Sequence, residues 1–177
     1  MKRLRLIGSV VAVLFGAVTL QACSDDNDDN IRMDNQGFVT EAASSNMFEI
    51  EAGEMAVLQG NSADVKEYGG MMVLDHRATG VEMSTLVGRK GWDMPDNLLP
   101  RHQQMLDRLD GKTGAEFDRE FVSLMVASHE EAVNLFSDAS GSNGVSDGDL
   151  KRFAGEKLPG LRHHLEEARD LAEQVND

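Results

Sequence analysis

Four side chains able to bind a metal or move a proton sit where helical periodicity turns them inward: Glu49, His76, His129 and His164. At about 100° per residue, Val65, Tyr68, Met72, Thr79 and Met83 form one stripe with His76 in its middle. Phe117, Phe121, Leu124, Met125, Ala132, Leu135 and Phe136 form another, with His129 near its edge. Leu158, Leu161, Leu165, Ala168, Leu171, Ala172 and Val175 form a third that contains His164. Glu49 shares a face with Phe38, Ala42, Ser45, Ala52 and Ala56. One carboxylate and three imidazoles from four segments make a metal-site inventory. A buried Glu or His needs a partner, and one ion satisfies all four groups at once. These donors suit zinc, copper, iron or nickel and do not choose among them.

Neighbouring residues extend the candidate set. Met72 and Met125 each precede a candidate histidine by one turn. Their soft sulfur would favour Cu(I), although Met also fills irregular core gaps. Asp75 is rotated away from His76 and is expected at most to orient a ligand. Glu51 faces nearer the flank. His102 and His163 are expected in solvent, and Glu130 and Glu131 on an outer charged face. The alternative is that each inward histidine is a separate core residue bonded to Ser, Thr or a backbone carbonyl, in a non-enzymatic module that contacts a protein partner. No Ser-His-Asp order, phosphate-binding Gly loop or paired carboxylate motif is present, so an enzyme ranks last.

The elements that must position these residues are helices, and strand signals are almost absent. A first helix is predicted from about Asn35 to Leu58. A second runs from Ser62 or Ala63 to about Val87, with Asn61 or Ser62 as N-cap and Gly88 near its end. Thr113 and Glu116 form a capping-box pattern that opens a third, to about Asp138. Ser146, with Asp149 three residues on, opens a fourth, which Pro159 should bend or restart. Arg101 to Leu109 could form a short extra helix. The short first turn forces antiparallel neighbours. The long second connection can return along the whole bundle, the single crossover that distinguishes ferritin-like four-helix folds. An all-α, ferritin-like bundle over residues 36–177 is therefore expected, with an up-down bundle as alternative.

The chain before the bundle reads as a targeting device. Lys2, Arg3 and Arg5 precede an uncharged stretch from Leu6 to Leu20. That is the order of an export signal, and it is shorter than the roughly 20 residues that span a bilayer. Leu20-Gln21-Ala22-Cys23 resembles the lipobox of bacterial lipoproteins, whose Cys is acylated after cleavage. Cys23 is the only cysteine, so no disulfide can form within one chain. Residues 1–22 are expected as signal peptide and 23–35 as a lipidated, Asp-rich tether. Several acyl chains, at about 0.8 kcal/mol per buried methylene, anchor stably. Ser24 after the Cys favours, by resemblance, a periplasm-facing position on the outer membrane. The formal charge is −14, and loss of the three cations in residues 1–22 takes it to −17. Such a domain repels nucleic acid and anionic lipid surfaces and attracts cations, metal ions included.

Phe38, Glu49-Ile50-Glu51-Ala52-Gly53, Met72 with Asp75-His76, Phe117-Asp118, His129 through Phe136, and Leu158-Pro159-Gly160-Leu161 ending at His164 together resemble the domain-of-unknown-function 4142 family. The likeness spans residues 36–172. It implies a ferritin-like bundle exported to the bacterial envelope, with recurrent positions at Glu49, Glu51, His76, His129 and His164, and no settled activity. Similar exported bundles rich in Met and His are linked to copper, an analogy only. Ferritin-like di-iron enzymes place a Glu three residues before His on two helices. Here those positions hold Val73, Val126 and Leu161, so ferroxidase chemistry is not expected. The function expected is binding of one transition metal for storage, buffering or sensing.

Overall fold

Three of the five described helices start where a side chain takes over the orphan backbone donors of the first turn. In the computed structural model, which describes residues 33–176, Asp34 accepts from the Gly37 amide and opens α1, Asn35–Gln59. Ser62 accepts from the Asp64 amide and opens α2, Ala63–Lys90, which Gly91 ends in the left-handed region at φ 71°. Thus α2 outruns the expected Gly88 stop, because Gly88 stays helical. Pro100 stands at the first position of α3, Pro100–Asp107. Then come α4, Gly114–Ser140, and α5, Gly148–Asn176. The expected signal peptide, Cys23 and most of the expected tether lie outside the described residues. Met33, Asp34 and Asn35, expected in the tether, belong to the bundle. Met33 packs on the core, and Asn35 Oδ1 accepts from the Ser146 and Asp147 amides.

Two start signals work differently from expectation. Thr113 makes no side-chain cap, and the Glu116 carboxylate, expected to reach back to it, pairs with Lys112 at 2.7 Å instead. Ser146 does not cap α5. Asp147 does, taking the Asp149 and Leu150 amides at 2.9 and 3.1 Å. Nor does the helix restart at Pro159, which lies exposed within an unbroken α5.

The helices form an up-down-down-up bundle. α1 packs along α2, α4 packs along α5, and α1 with α4 and α2 with α5 join the two hairpins. Phe38 meets Phe136, and Asp118 meets the α1–α2 turn, so α1 and α4 are antiparallel and α2 and α4 parallel. Residues 91–113 make the crossover and carry α3. This is the ferritin-like arrangement of an all-helical chain. No described helix is long and apolar enough to cross a membrane.

Two contacts fix the first hairpin. A Cβ built on Gly69 would lie 2.7 Å from the Ala56 Cβ and 2.9 Å from the Gly53 carbonyl oxygen. α1 and α2 therefore touch nearly backbone to backbone. Beyond them, the buried Asp118 carboxylate accepts from the Asn61 and Ser62 amides, both at 2.8 Å.

The core is split. One apolar cluster holds Phe38, Ala42, Met83, Leu86, Phe136 and Phe153, among others. The second holds Phe48, Val65, Met72, Phe121, Met125 and Leu171. Along each of the four long helices the chain passes from one cluster to the other. At the crossing lie Glu49, His76, Ser128 with His129, and His164. The polar residues thus form one layer between two greasy halves.

Candidate metal centre

The layer exists because helical phase and height agree on all four helices. Glu49 is 1% exposed, His76 4%, His129 0% and His164 7%. The three imidazole centroids are 5.7, 5.5 and 5.4 Å apart, nearly an equilateral triangle. Each ring contributes one nitrogen to a set lying within 4.8 Å of one another.

Hydrogen bonding fixes which nitrogen is free on each ring. The Met125 carbonyl can only accept, so at 2.9 Å it holds the proton on His129 Nδ1. His76 Nδ1 donates toward Glu49 Oε2 at 3.0 Å and Asn46 Oδ1 at 3.2 Å. His164 Nε2 donates to Asp75 Oδ2 at 3.0 Å. The lone pairs therefore fall on His76 Nε2, His129 Nε2 and His164 Nδ1. Those three atoms are buried without a hydrogen-bond partner. An unmet buried acceptor costs about 1–3 kcal/mol, so three forfeit on the order of 3–9 kcal/mol, comparable to a domain's whole stability. A cation among them would recover much of this. The residues fit such a group: three neutral imidazoles, each with its remaining N–H anchored.

Glu49 is positioned as an orienting base rather than as the fourth corner of the triangle. Its Oε1 accepts from Ser128 Oγ at 2.7 Å and stands 3.5 Å from His129 Nδ1, while Oε2 faces His76 Nδ1. Both contacts are to the ring nitrogens turned away from the triangle. Burial pushes its carboxyl pKa up, but His76, His129 and the Ser128 hydroxyl outweigh that and hold it below the ordinary value. Burial pushes the His76 imidazole down against the pull of Glu49, and it pushes His164 down with help from His129. An ionised Glu49 beside a neutral His76 that donates to it is the consistent state.

The other expected residues divide. Glu51 is exposed, some 200° around α1 from Glu49, and takes no part. Asp75 orients a histidine, but that histidine is His164 on α5, not its neighbour His76. Met72 and Met125 are fully buried in the second apolar cluster, and Met125 serves the layer through its backbone carbonyl. His163 is exposed as expected, with Glu167 3.7 Å away. His102 is not in solvent. It is 2% exposed, its Nδ1 is 2.6 Å from Ser44 Oγ, and it stacks on Phe48 with centroids 6.2 Å apart. The same Ser44 oxygen accepts from the Leu99 amide, so this pair pins α3 to α1. Asn46 and Ser128 were not singled out from sequence. Asn46 lies one turn before Glu49 and Ser128 adjoins His129, which is the signal that would have found them.

A cavity of about 260 Å³ reaches the layer between α1, α2 and α5, bordered by Asn46, Glu49, Asp75, His76, Thr79 and His164.

Comparison with solved structures gives the same architecture. The Cu(II)-bound form of CopM matches with a TM-score of 0.67 at 18% identity, covering 81% of this chain and 98% of that one. A DUF305 fragment from Deinococcus radiodurans matches at 0.67 and 16%, covering 78% and 95%. The Cu(I)-bound form of CopM matches at 0.65 and 18%, covering 78% and 95%. At these identities the likeness is one of fold. No curated relative matches the chain. The family model described as "Domain of unknown function (DUF4142)" matches residues 21–171, and the chain belongs to that family.

Proposed function

We propose that the bundle binds one transition-metal ion through His76 Nε2, His129 Nε2 and His164 Nδ1, for storage, buffering or sensing in the bacterial envelope. The observation that carries this reading is the convergence of three partnerless buried nitrogens. Copper is the ion favoured by the fold neighbours, since CopM is described in Cu(II)-bound, Cu(I)-bound and Ag-bound forms. Zinc suits the same donors. The protein acts as a binder, not an enzyme. The positions three residues before the histidines are Val73, Val126 and Leu161, so the carboxylates of di-iron chemistry have no counterpart there.

In the same reading a lipid on Cys23 holds the domain at the periplasmic side of the outer membrane, with the acidic residues after it as tether. Cys23→Ala should move the protein from the membrane fraction to the soluble one. Elemental analysis tests the metal. Full-length protein purified natively without chelator should carry about one equivalent of one transition metal per chain. His129→Ala should lose it while staying helical by circular dichroism. Stoichiometry unchanged in His129→Ala, or no stoichiometric metal in the parent, would overturn the site.

A further inference from the structure

The cavity beside the histidines does not surround them evenly. His76 and His164 border it, whereas His129 stands outside its lining at 0% exposure. It therefore adjoins the His76–His164 edge of the triangle. On the outer side its lining includes Asp75, Ala78, Glu82 and Gly160, all exposed, so it communicates with solvent. At about 260 Å³ it holds far more than one water, whose share of liquid volume is about 30 Å³. The buried carboxylate of the layer is engaged elsewhere, since Glu49 is held by Ser128 and by the outward-facing N–H of His76. Three protein nitrogens, joined by no further His, Cys, Asp or Glu among the described residues, beside a solvent-connected space, form the pattern of an open rather than a closed site.

Resting on the metal reading above, we infer that an ion held by the three imidazoles keeps an exchangeable coordination position on the His76–His164 edge. The cavity admits a small monodentate oxygen or nitrogen donor to it. The charge pattern sets the class of ligand. A divalent ion is already balanced by Glu49 and Asp75, and Lys157 at the cavity wall is paired with Glu82 at 2.5 Å. Water or a small monoanion suits this balance; a multiply charged anion does not.

Gly160 and Ala78 provide plugs outside the ligand set. A Cβ on Gly160 would meet nothing within 4 Å, and both positions are exposed and helical. Leucine is a better helix former than the glycine at 160 and only slightly poorer than the alanine at 78, so both variants should fold.

The full-length protein is stripped of metal, loaded with Co(II) and titrated with sodium azide while the visible d–d bands are recorded. Azide should shift the bands saturably. Gly160→Leu and Ala78→Leu should each weaken azide binding at least about tenfold with Co(II) stoichiometry unchanged. An unshifted spectrum at full Co(II) occupancy would show a closed coordination sphere and overturn the inference while leaving the metal site standing. Parent-like azide affinity in both plugged variants would likewise overturn it, because the ligand would reach the ion from another side. Failure of Co(II) to bind, or equal binding by His129→Ala, would refute the metal site itself and this inference with it.

Discussion

Glu49→Gln isolates what the buried carboxylate contributes to metal binding. The substitution keeps the shape of a side chain that is 1% exposed and removes its charge. The Ser128 hydroxyl can still donate to the amide oxygen. The amide NH₂ then faces His76 Nδ1, which also carries a proton, so donor meets donor at a contact now 3.0 Å long. The cheapest escape is for His76 to move its proton to Nε2, the nitrogen proposed to take the metal. Binding must then reverse that shift. It also proceeds without the negative charge that raises the basicity of His76 and that lies 3.5 Å from His129 Nδ1. Groups that orient metal-bound imidazoles in this way are typically worth 10–100-fold in affinity, about 1.4–2.7 kcal/mol. Competition titration of Cu(II) or Zn(II) against a chromophoric chelator should therefore give a dissociation constant 10–100-fold weaker for Glu49→Gln, at unchanged stoichiometry. Without metal the variant should be somewhat less stable, since the depressed pKa of Glu49 means that the folded protein favours the ionised carboxylate and the neutral amide forfeits that gain. Parent-like affinity would refute the assigned orienting role. So would a weakening that Glu49→Asp, a shorter carboxylate, failed to rescue even in part.

Burial depresses the pKa of His76, His102 and His164 below the ordinary value, so the unfolded chain takes up protons that the native one refuses. The metal-free protein should lose stability as pH falls below about 6.5, and further below about 4.5 as the depressed carboxyl of Glu49 protonates. Melting curves from pH 8 to pH 4 check this, and a flat profile would contradict it. Asp118→Ala removes the acceptor for two amides of the first turn. It should cost about 1–3 kcal/mol in chemical denaturation while leaving bound metal unchanged. Gly69→Ala gains up to about 1 kcal/mol of helix propensity but must push α1 and α2 apart, at about 1–3 kcal/mol. A net loss of stability is expected, and a net gain would mean that the helices are not in such close contact.

The inward direction of His76, His129 and His164 was legible because each sits among apolar residues repeating at the helical period. The topology was legible because one connection is short and the other long. Height was not. Phase assigns a side chain to a face; the α4–α5 turn sets His164 level with His129, and only the register of one hairpin against the other brings His76 level with both. The misplacement of His102 has a plain cause. Its helix is short and mostly polar, and its burial comes from Ser44 and Phe48, more than fifty positions away. The spacing of His102, Met105 and Leu109 along one face was the overlooked hint. Glu49 was legible as buried but not as facing the outer ring nitrogens, because that depends on its rotamer and on Ser128. Asp118 lay inside the quoted family pattern, yet its work for a turn nearly sixty positions earlier is purely tertiary.

The three imidazoles are unequally shared between the two hairpins. His76 belongs to the first, and His129 and His164 to the second. Neither half alone can build the triangle, so an ion held there would act as a rivet through the seam where the halves meet. A chain whose hairpins had formed but not yet mated would offer only a pair of donors and grip loosely. Once the seam closes, escape of the ion requires either a passage through the cleft or a parting of the halves. Occupancy and assembly would then report on each other, and a chelator would draw the ion fastest from molecules whose seam had already begun to open.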